Sequence, residues 1–260
     1  CGLERVYEIN RNFRNEGIST FHNPEFTMME FYWSYATYED LMSFTEELFR
    51  FIAKNIFEGL TFTYQGTEID LTPPWRRLSV NDALTQIAGM TPADLADRDK
   101  AVAFARKVGC DVKETDPLGK ILMAVFDEVV EKKLIQPTFV TQYPVAVSPL
   151  SRRSNTNPEL VDRFELYISG REIGNACSEL NDPVDHRDRF IQQIKDITPL
   201  LIASIVPEIA IFSITKAIEM NIGVQILLYL SVYLILIFLF RLKIRKDIID
   251  LMLIIRHKNA

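Results

Sequence analysis

The chain has 260 residues, 48% of them hydrophobic, with 29 Lys and Arg against 35 Asp and Glu for a formal charge of −6. That length carries one large domain or two small ones, and the acidic balance excludes a surface built throughout for nucleic acid, so any RNA contact has to be local. Three cysteines, Cys1, Cys110 and Cys177, odd in number and without a Cys-x-x-Cys, suggest neither a disulfide framework nor a zinc site. His22, His186 and His257 are too dispersed for a metal site, and a reducing cytoplasm fits the thiols best. The opening Cys-Gly-Leu-Glu-Arg-Val-Tyr, without Met or signal peptide, reads as cut from something longer.

Residues 3–9 alternate into the first arm of a β-hairpin and residues 25–33 form the second, on either side of a Gly/Ser/Thr loop. Alternation puts Arg14 and Glu16 on one face of the first arm, and Phe26, Met28, Glu30 and Tyr32 on one face of the second. Charges stand where core residues are expected, and inward charge needs a partner, so the layout predicts a hairpin gripping a charged ligand. From Tyr38 to Ile56, Leu41, Phe44, Leu48, Phe51, Ile52 and Ile56 recur near helical spacing, with Gly59 as a stop. Thr61–Tyr64 and Thr67–Leu71 flank Gln-Gly as a short hairpin. Residues 79–133 read as small helices separated by Gly and Pro, starting at the cap-like Ser79-Val80-Asn81-Asp82, with a mixed apolar face from Ile121 to Val130. This stretch reads as an insertion without chemistry of its own. Residues 160–180 return to strands, with Phe164, Leu166 and Ile168 on one face and Glu165 on the other, and Asp182-Pro183 opens a helix over 183–196.

The tail obeys different physics. Met220 to Phe240 carries no charge, and at about 1.5 Å per residue a helix of that length spans a hydrocarbon core of roughly 30 Å. Residues 197–215 are also apolar but are interrupted by Pro199, Pro207 and Glu208. Arg241, Lys243, Arg245, Lys246, Arg256 and Lys258 would stay cytoplasmic, so a single span puts residues 1–190 outside. Three readings stay open: residues 197–215 cross as well, the tail is no natural membrane domain, or the reading frame shifts near residue 190.

Phe13-Arg14-Asn15-Glu16, followed by His22-Asn23-Pro24-Glu25-Phe26-Thr27-Met28-Met29-Glu30-Phe31-Tyr32, resembles motif 2 of the class II lysyl-tRNA synthetases. The aspartate and asparagine relatives usually carry Asp-Arg-Gln-Pro-Glu-Phe-Thr-Gln after the loop. Phe164 to Asp182, containing Gly170-Arg171-Glu172-Ile173-Gly174-Asn175, resembles the family's second substrate-binding stretch, and residues 137–153 match it too. The resemblance covers roughly residues 2–190. It implies an α+β fold, an antiparallel sheet with helices on one side, divided into core with motif 2 (1–75), helical insertion (76–136) and core with the second substrate strands (137–190); residues 191–260, beyond the resemblance, read from their composition as a hydrophobic tail of C-terminal helices.

The activity so implied is lysine-tRNA ligase: ATP-dependent formation of lysyl-adenylate and transfer of lysine to tRNA(Lys), in a cytoplasmic homodimer. By the same resemblance Arg14 bridges the lysine carboxylate and the α-phosphate, where a planar guanidinium offers two parallel hydrogen bonds. Glu16 accepts from the adenine amino group, Phe26 stacks on the ring, and His22 and Asn23 lie over the nucleotide. Glu165 and Glu172 hold Mg2+, and Glu30, Tyr32, Asn175 and Glu179 form the lysine pocket. Two positions depart from the pattern: Cys177 replaces an aromatic residue, which loosens the lysine slot, and Phe21 stands where Arg is common. Motif 1 with its dimer helix, the anticodon barrel, an acid for the lysine α-amino group and the Arg-bearing motif 3 are not found in these residues, so the chain as written is expected to be nearly inactive. Two rivals are a ligase that attaches a lysine-type group to an elongation factor, and a non-catalytic synthetase-like binding module tethered to a membrane through 220–240.

Overall fold

The computed structural model describes residues 2–14, 22–57, 59–113, 115–191 and 194. Residues 1–186 form one compact unit and the chain from Arg187 onward a second. In the first, β1 (Arg5–Phe13) and β2 (Glu25–Trp33) pair antiparallel, Arg5 opposite Trp33 and Phe13 opposite Glu25. The hairpin forms a two-stranded sheet of its own.

Helix α1 (Tyr38–Ile56) has the bounds its apolar periodicity predicts. Thr37 caps it through Asp40, whose carboxylate returns a bond to the Thr37 amide at 2.7 Å, so two otherwise orphaned donors are satisfied. Strands β3 (Thr61–Tyr64) and β4 (Thr67–Asp70) close around Gln65 and Gly66, both at positive φ, a turn that favours glycine at its second position.

Beyond β5 (Arg76–Ser79), the Ser79 hydroxyl caps α2 (Val80–Ala83) by accepting from the Asp82 amide at 3.0 Å. A π-helical turn (Leu84–Ala88), α3 (Pro92–Ala96), α4 (Arg98–Lys107), α5 (Leu118–Val125) and a second π-helical turn (Phe126–Val130) follow. Strands β6 (Thr138–Pro144), β7 (Leu160–Ile168) and β8 (Arg171–Cys177) complete a four-stranded sheet in the order β5-β6-β7-β8. Its β5–β6 pair is parallel, unlike the wholly antiparallel sheet expected, because α2–α5 form the crossover that a parallel connection requires.

The two faces of β7 fall into two cores. Phe164, Leu166 and Ile168 pack with Phe139, Trp75, Leu41 and Met42 beneath α1, the Phe139 and Phe164 rings meeting edge-on at 5.0 Å. Val161 and Tyr167 join Val140, Tyr143, Ile121, Val125 and Phe126 in the core of the insertion. Helices therefore cover both sides of this sheet, where the family resemblance implied them on one. The reason is that the insertion must bury its own apolar faces, and the free side of β6 and β7 is available to it.

The hairpin is tied down by fewer groups. Phe31 and Trp33 meet Phe44 of α1 at 5.2 and 6.2 Å, and Arg5 lies 3.9 Å over the Trp33 ring. The start of α1 is fixed to the end of β8, where the Tyr38 amide donates to Ser178 Oγ at 3.2 Å. Tyr7, Ile9 and Phe13 on β1 stay 72, 65 and 72% exposed. The predicted helix opens at Pro183, with Asp182 Oδ1 accepting from the amides of Val184 and Asp185 at 2.8 and 3.2 Å. Among the described residues no helix is long and apolar enough to cross a membrane; the segments 197–215 and 220–240 lie outside them.

Candidate active site

Strands β7 and β8 turn at Ser169 and Gly170, both at positive φ. A Cβ on Gly170 would stand 3.1 Å from the Lys132 carbonyl oxygen, so the turn needs glycine for its conformation and for its close approach to the insertion. Glu165 pairs with Asn175, whereas Tyr167 pairs with Glu172, a register shift that leaves Ile173 without a partner. The bulge brings Glu172 and Asn175, three residues apart, to the face of Glu165. Simple alternation would have set them on opposite sides.

Glu165 is held from three directions. Its Oε2 accepts from the hydroxyls of Tyr143 and Tyr167 at 2.9 and 2.6 Å, and its Oε1 from an Arg163 Nη. The other Nη of Arg163 donates to Ser148 Oγ at 2.8 Å. Burial and the facing Glu165 push both phenols up, so they remain protonated donors. Glu172 accepts from Asn175 Nδ2 at 2.8 Å. It keeps contact with solvent, yet protein crowded around it removes enough water, and Glu165 stands close enough, to raise its carboxyl; Asn175, Arg163 and Arg14 pull the other way.

Arg14 thus reaches this acidic face from the hairpin. Its amide donates to the Pro24 carbonyl at 2.9 Å, and its guanidinium lies 5.3 Å over the Phe26 ring, a cation–π contact. Phe26, Met28 and Glu30 are partly buried between exposed Glu25, Thr27 and Met29, as the alternation predicts, but Tyr32, expected on the same face, is 55% exposed, while Phe31 and Trp33 are partly buried against Phe44 of α1. Tyr32 donates to Glu30 Oε2 in a long bond of 3.4 Å, and Glu30, Glu179 and Glu8 all raise its phenol. Glu8 stands directly opposite Glu30 across the hairpin. Like charges opposite one another cost stability unless a cation lies between them, and an ammonium group answers that need. Asn23 is exposed just before β2, and Cys177 is a half-buried free thiol opposite Arg163. Glu16 and Phe21 lie outside the described residues.

Two further acids were missed in the sequence. Asp127, on the second π-helical turn, is pushed up to about 6 by loss of surrounding water and by Glu131, Glu165 and Glu172. Glu131 is raised for the same reasons, with Lys132 and His22 opposing. The insertion therefore adds charge beside the site instead of only filling space. Acids four residues apart at the end of an apolar helix, Asp127 and Glu131, were the available signal.

Among the described residues no three of His, Cys, Asp and Glu come together as a metal-ligand set. Mg2+ does not demand one: it takes one or two carboxylates and completes its shell with phosphate and water oxygens. Glu165 and Glu172, two carboxylates on one face of the sheet, fit that requirement even with Arg163 bound to one oxygen of Glu165.

The family model of the class II tRNA synthetases (D, K and N) matches residues 1–201. The chain is 53% identical over 194 residues to a lysine--tRNA ligase of Carboxydothermus hydrogenoformans, covering 75% of the chain and 40% of that protein. It is 51% identical over 196 residues to one of Legionella pneumophila strain Paris, with 75 and 40% covered, and 48% over 195 residues to one of Thermoanaerobacter pseudethanolicus, with 75 and 39% covered. The chain spans about 40% of the length of these relatives. With the matched stretch running through both the hairpin and the acidic strands, the chain belongs to the class II tRNA synthetase family of the D, K and N type.

Proposed function

We propose that this chain carries the adenylate-forming cleft of a lysine-tRNA ligase, which joins lysine to ATP and passes it to tRNA(Lys). The observation that carries the reading is the pairing of Arg14, set over Phe26 and within electrostatic reach of Glu172, with the acids Glu30 and Glu179 around Tyr32.

Activation brings two anions together: the amino-acid carboxylate attacks the α-phosphate, a carboxylate oxygen–phosphorus bond forms and pyrophosphate departs. Arg14 bonds both groups and stabilises the charge that develops between them. Phe26 holds the adenine by stacking, Glu16 accepts from its amino group, and His22 and Asn23 cover the nucleotide. Glu165 and Glu172 would hold Mg2+, which when bound neutralises phosphate charge. Glu30, Glu179 and the Tyr32 hydroxyl receive the lysine ammonium, with Asn175 beside them; charge-assisted bonds of this kind contribute about 1.5–3 kcal/mol each.

Calorimetry of the full chain with Mg-ATP tests the reading independently of turnover. Lysine binds, and norleucine, which has the same stem without the ammonium, does not. Equal binding of the two, or of neither, contradicts the proposal.

A further inference from the structure

Glu165 is the most heavily engaged carboxylate of the candidate site. Its side chain is only 12% exposed, and three donors converge on it. An ionised carboxylate offers about four acceptor positions, so one remains. Tyr143 and Tyr167 are 1 and 3% exposed, and their rings are anchored in the insertion core, Tyr167 lying 5.7 Å from Phe126. Only their hydroxyl tips reach the site face, and both end on the same oxygen. A ring needed for packing alone would serve as well as phenylalanine.

We propose that Tyr143 and Tyr167 are positioning residues for the divalent cation: acting through Glu165, they fix the carboxylate so that its remaining acceptor position faces the cation seat. This rests on the reading of Glu165 and Glu172 given above. Arg163 secures the other oxygen, and the sheet carries the whole assembly, since Tyr143 and the β7 residues come from adjacent paired strands. The two phenols also link the insertion to the site: a shift of its core moves the hydroxyls and therefore Glu165. Partners behind a metal-bound ligand commonly govern its affinity by about 10- to 100-fold.

The test uses Mn2+ as probe, followed by the paramagnetic resonance signal of the free ion, with the full chain and a non-hydrolysable ATP analogue. Tyr167→Phe and Tyr143→Phe each preserve the ring, and melting curves check that each variant folds. Each is expected to weaken Mn2+ binding by about tenfold while binding of the analogue without metal stays unchanged. Unchanged or tighter Mn2+ binding in both variants overturns the positioning role, and so does an equal loss of nucleotide binding without metal, which marks general damage to the fold. If the unaltered chain binds no Mn2+ with the analogue, the cation seat itself is wrong and the proposal falls with it.

Discussion

Strand β7 and the hairpin β1–β2 both carry residues of the candidate site, yet the strand is sunk between two cores and the hairpin leans on a single helix. On β7, Val161 and Tyr167 pack into the insertion core, Phe164, Leu166 and Ile168 pack beneath α1, and these five of its nine residues are buried. On β1 no residue is, and the hairpin's connection to the rest of the described unit runs through Phe31, Trp33 and the start of α1. The acids of the site are therefore set rigidly. The Arg14 guanidinium, whose charge acts on Glu172, is carried on the more weakly held arm.

The sharpest way to break this comparison is to remove packing from each half. Phe164→Ala leaves a cavity beside Phe139 in the core beneath α1 and should cost about 3–5 kcal/mol in urea unfolding. Equal tolerance there and in β1 would deny that the strands are the rigid half. Phe44→Leu removes the ring contacts to Phe31 and Trp33, at about 1 kcal/mol. Its distinguishing readout is hydrogen exchange, which should quicken in β1 and β2 while β7 and β8 keep their protection.

Charge tests the comparison from the other side. The Asp127 carboxyl, near 6 in the folded protein and near 4 when unfolded, holds more protons in the native state between those values, so stability falls as pH rises through that window. Asp127→Asn should therefore raise the melting temperature at pH 8 and leave it unchanged at pH 4. The gain stays below about 1 kcal/mol because the side chain reaches water. A loss at pH 8 would mean that Asp127 makes a favourable contact instead of adding to the repulsion. Smallest of all is Ile9→Thr on the exposed face of β1, expected within about 0.5 kcal/mol by thermal melting.

What could be read in the sequence divides along the same line. The second hairpin arm, α1 and the β3–β4 turn follow from local signals, namely alternation, helical apolar spacing and Gln-Gly, and they appear where those signals put them, whereas the first arm, expected over 3–9, runs over Arg5–Phe13. The common face of Glu172 and Asn175 does not follow, because it depends on a bulge that strict alternation forbids. Nor does the parallel β5–β6 pair, which is set by how the insertion folds back across the sheet. The involvement of Tyr143, Tyr167, Asp127 and Glu131 with Glu165 and Glu172 is likewise a product of tertiary packing: Tyr143 is 22 residues from Glu165 in the chain and 2.9 Å from it in space.

The central claim is that the hairpin guanidinium and the acids of β8 and its following segment act on one ligand. A non-hydrolysable lysyl-adenylate analogue, with lysine at one end and adenosine at the other, tests it in a single titration of the full chain. The expected result is binding far tighter than that of lysine or adenosine alone, weakened by about tenfold or more in both Arg14→Ala and Glu179→Gln. An analogue bound no better than its halves, or indifferent to either substitution, would contradict a shared cleft.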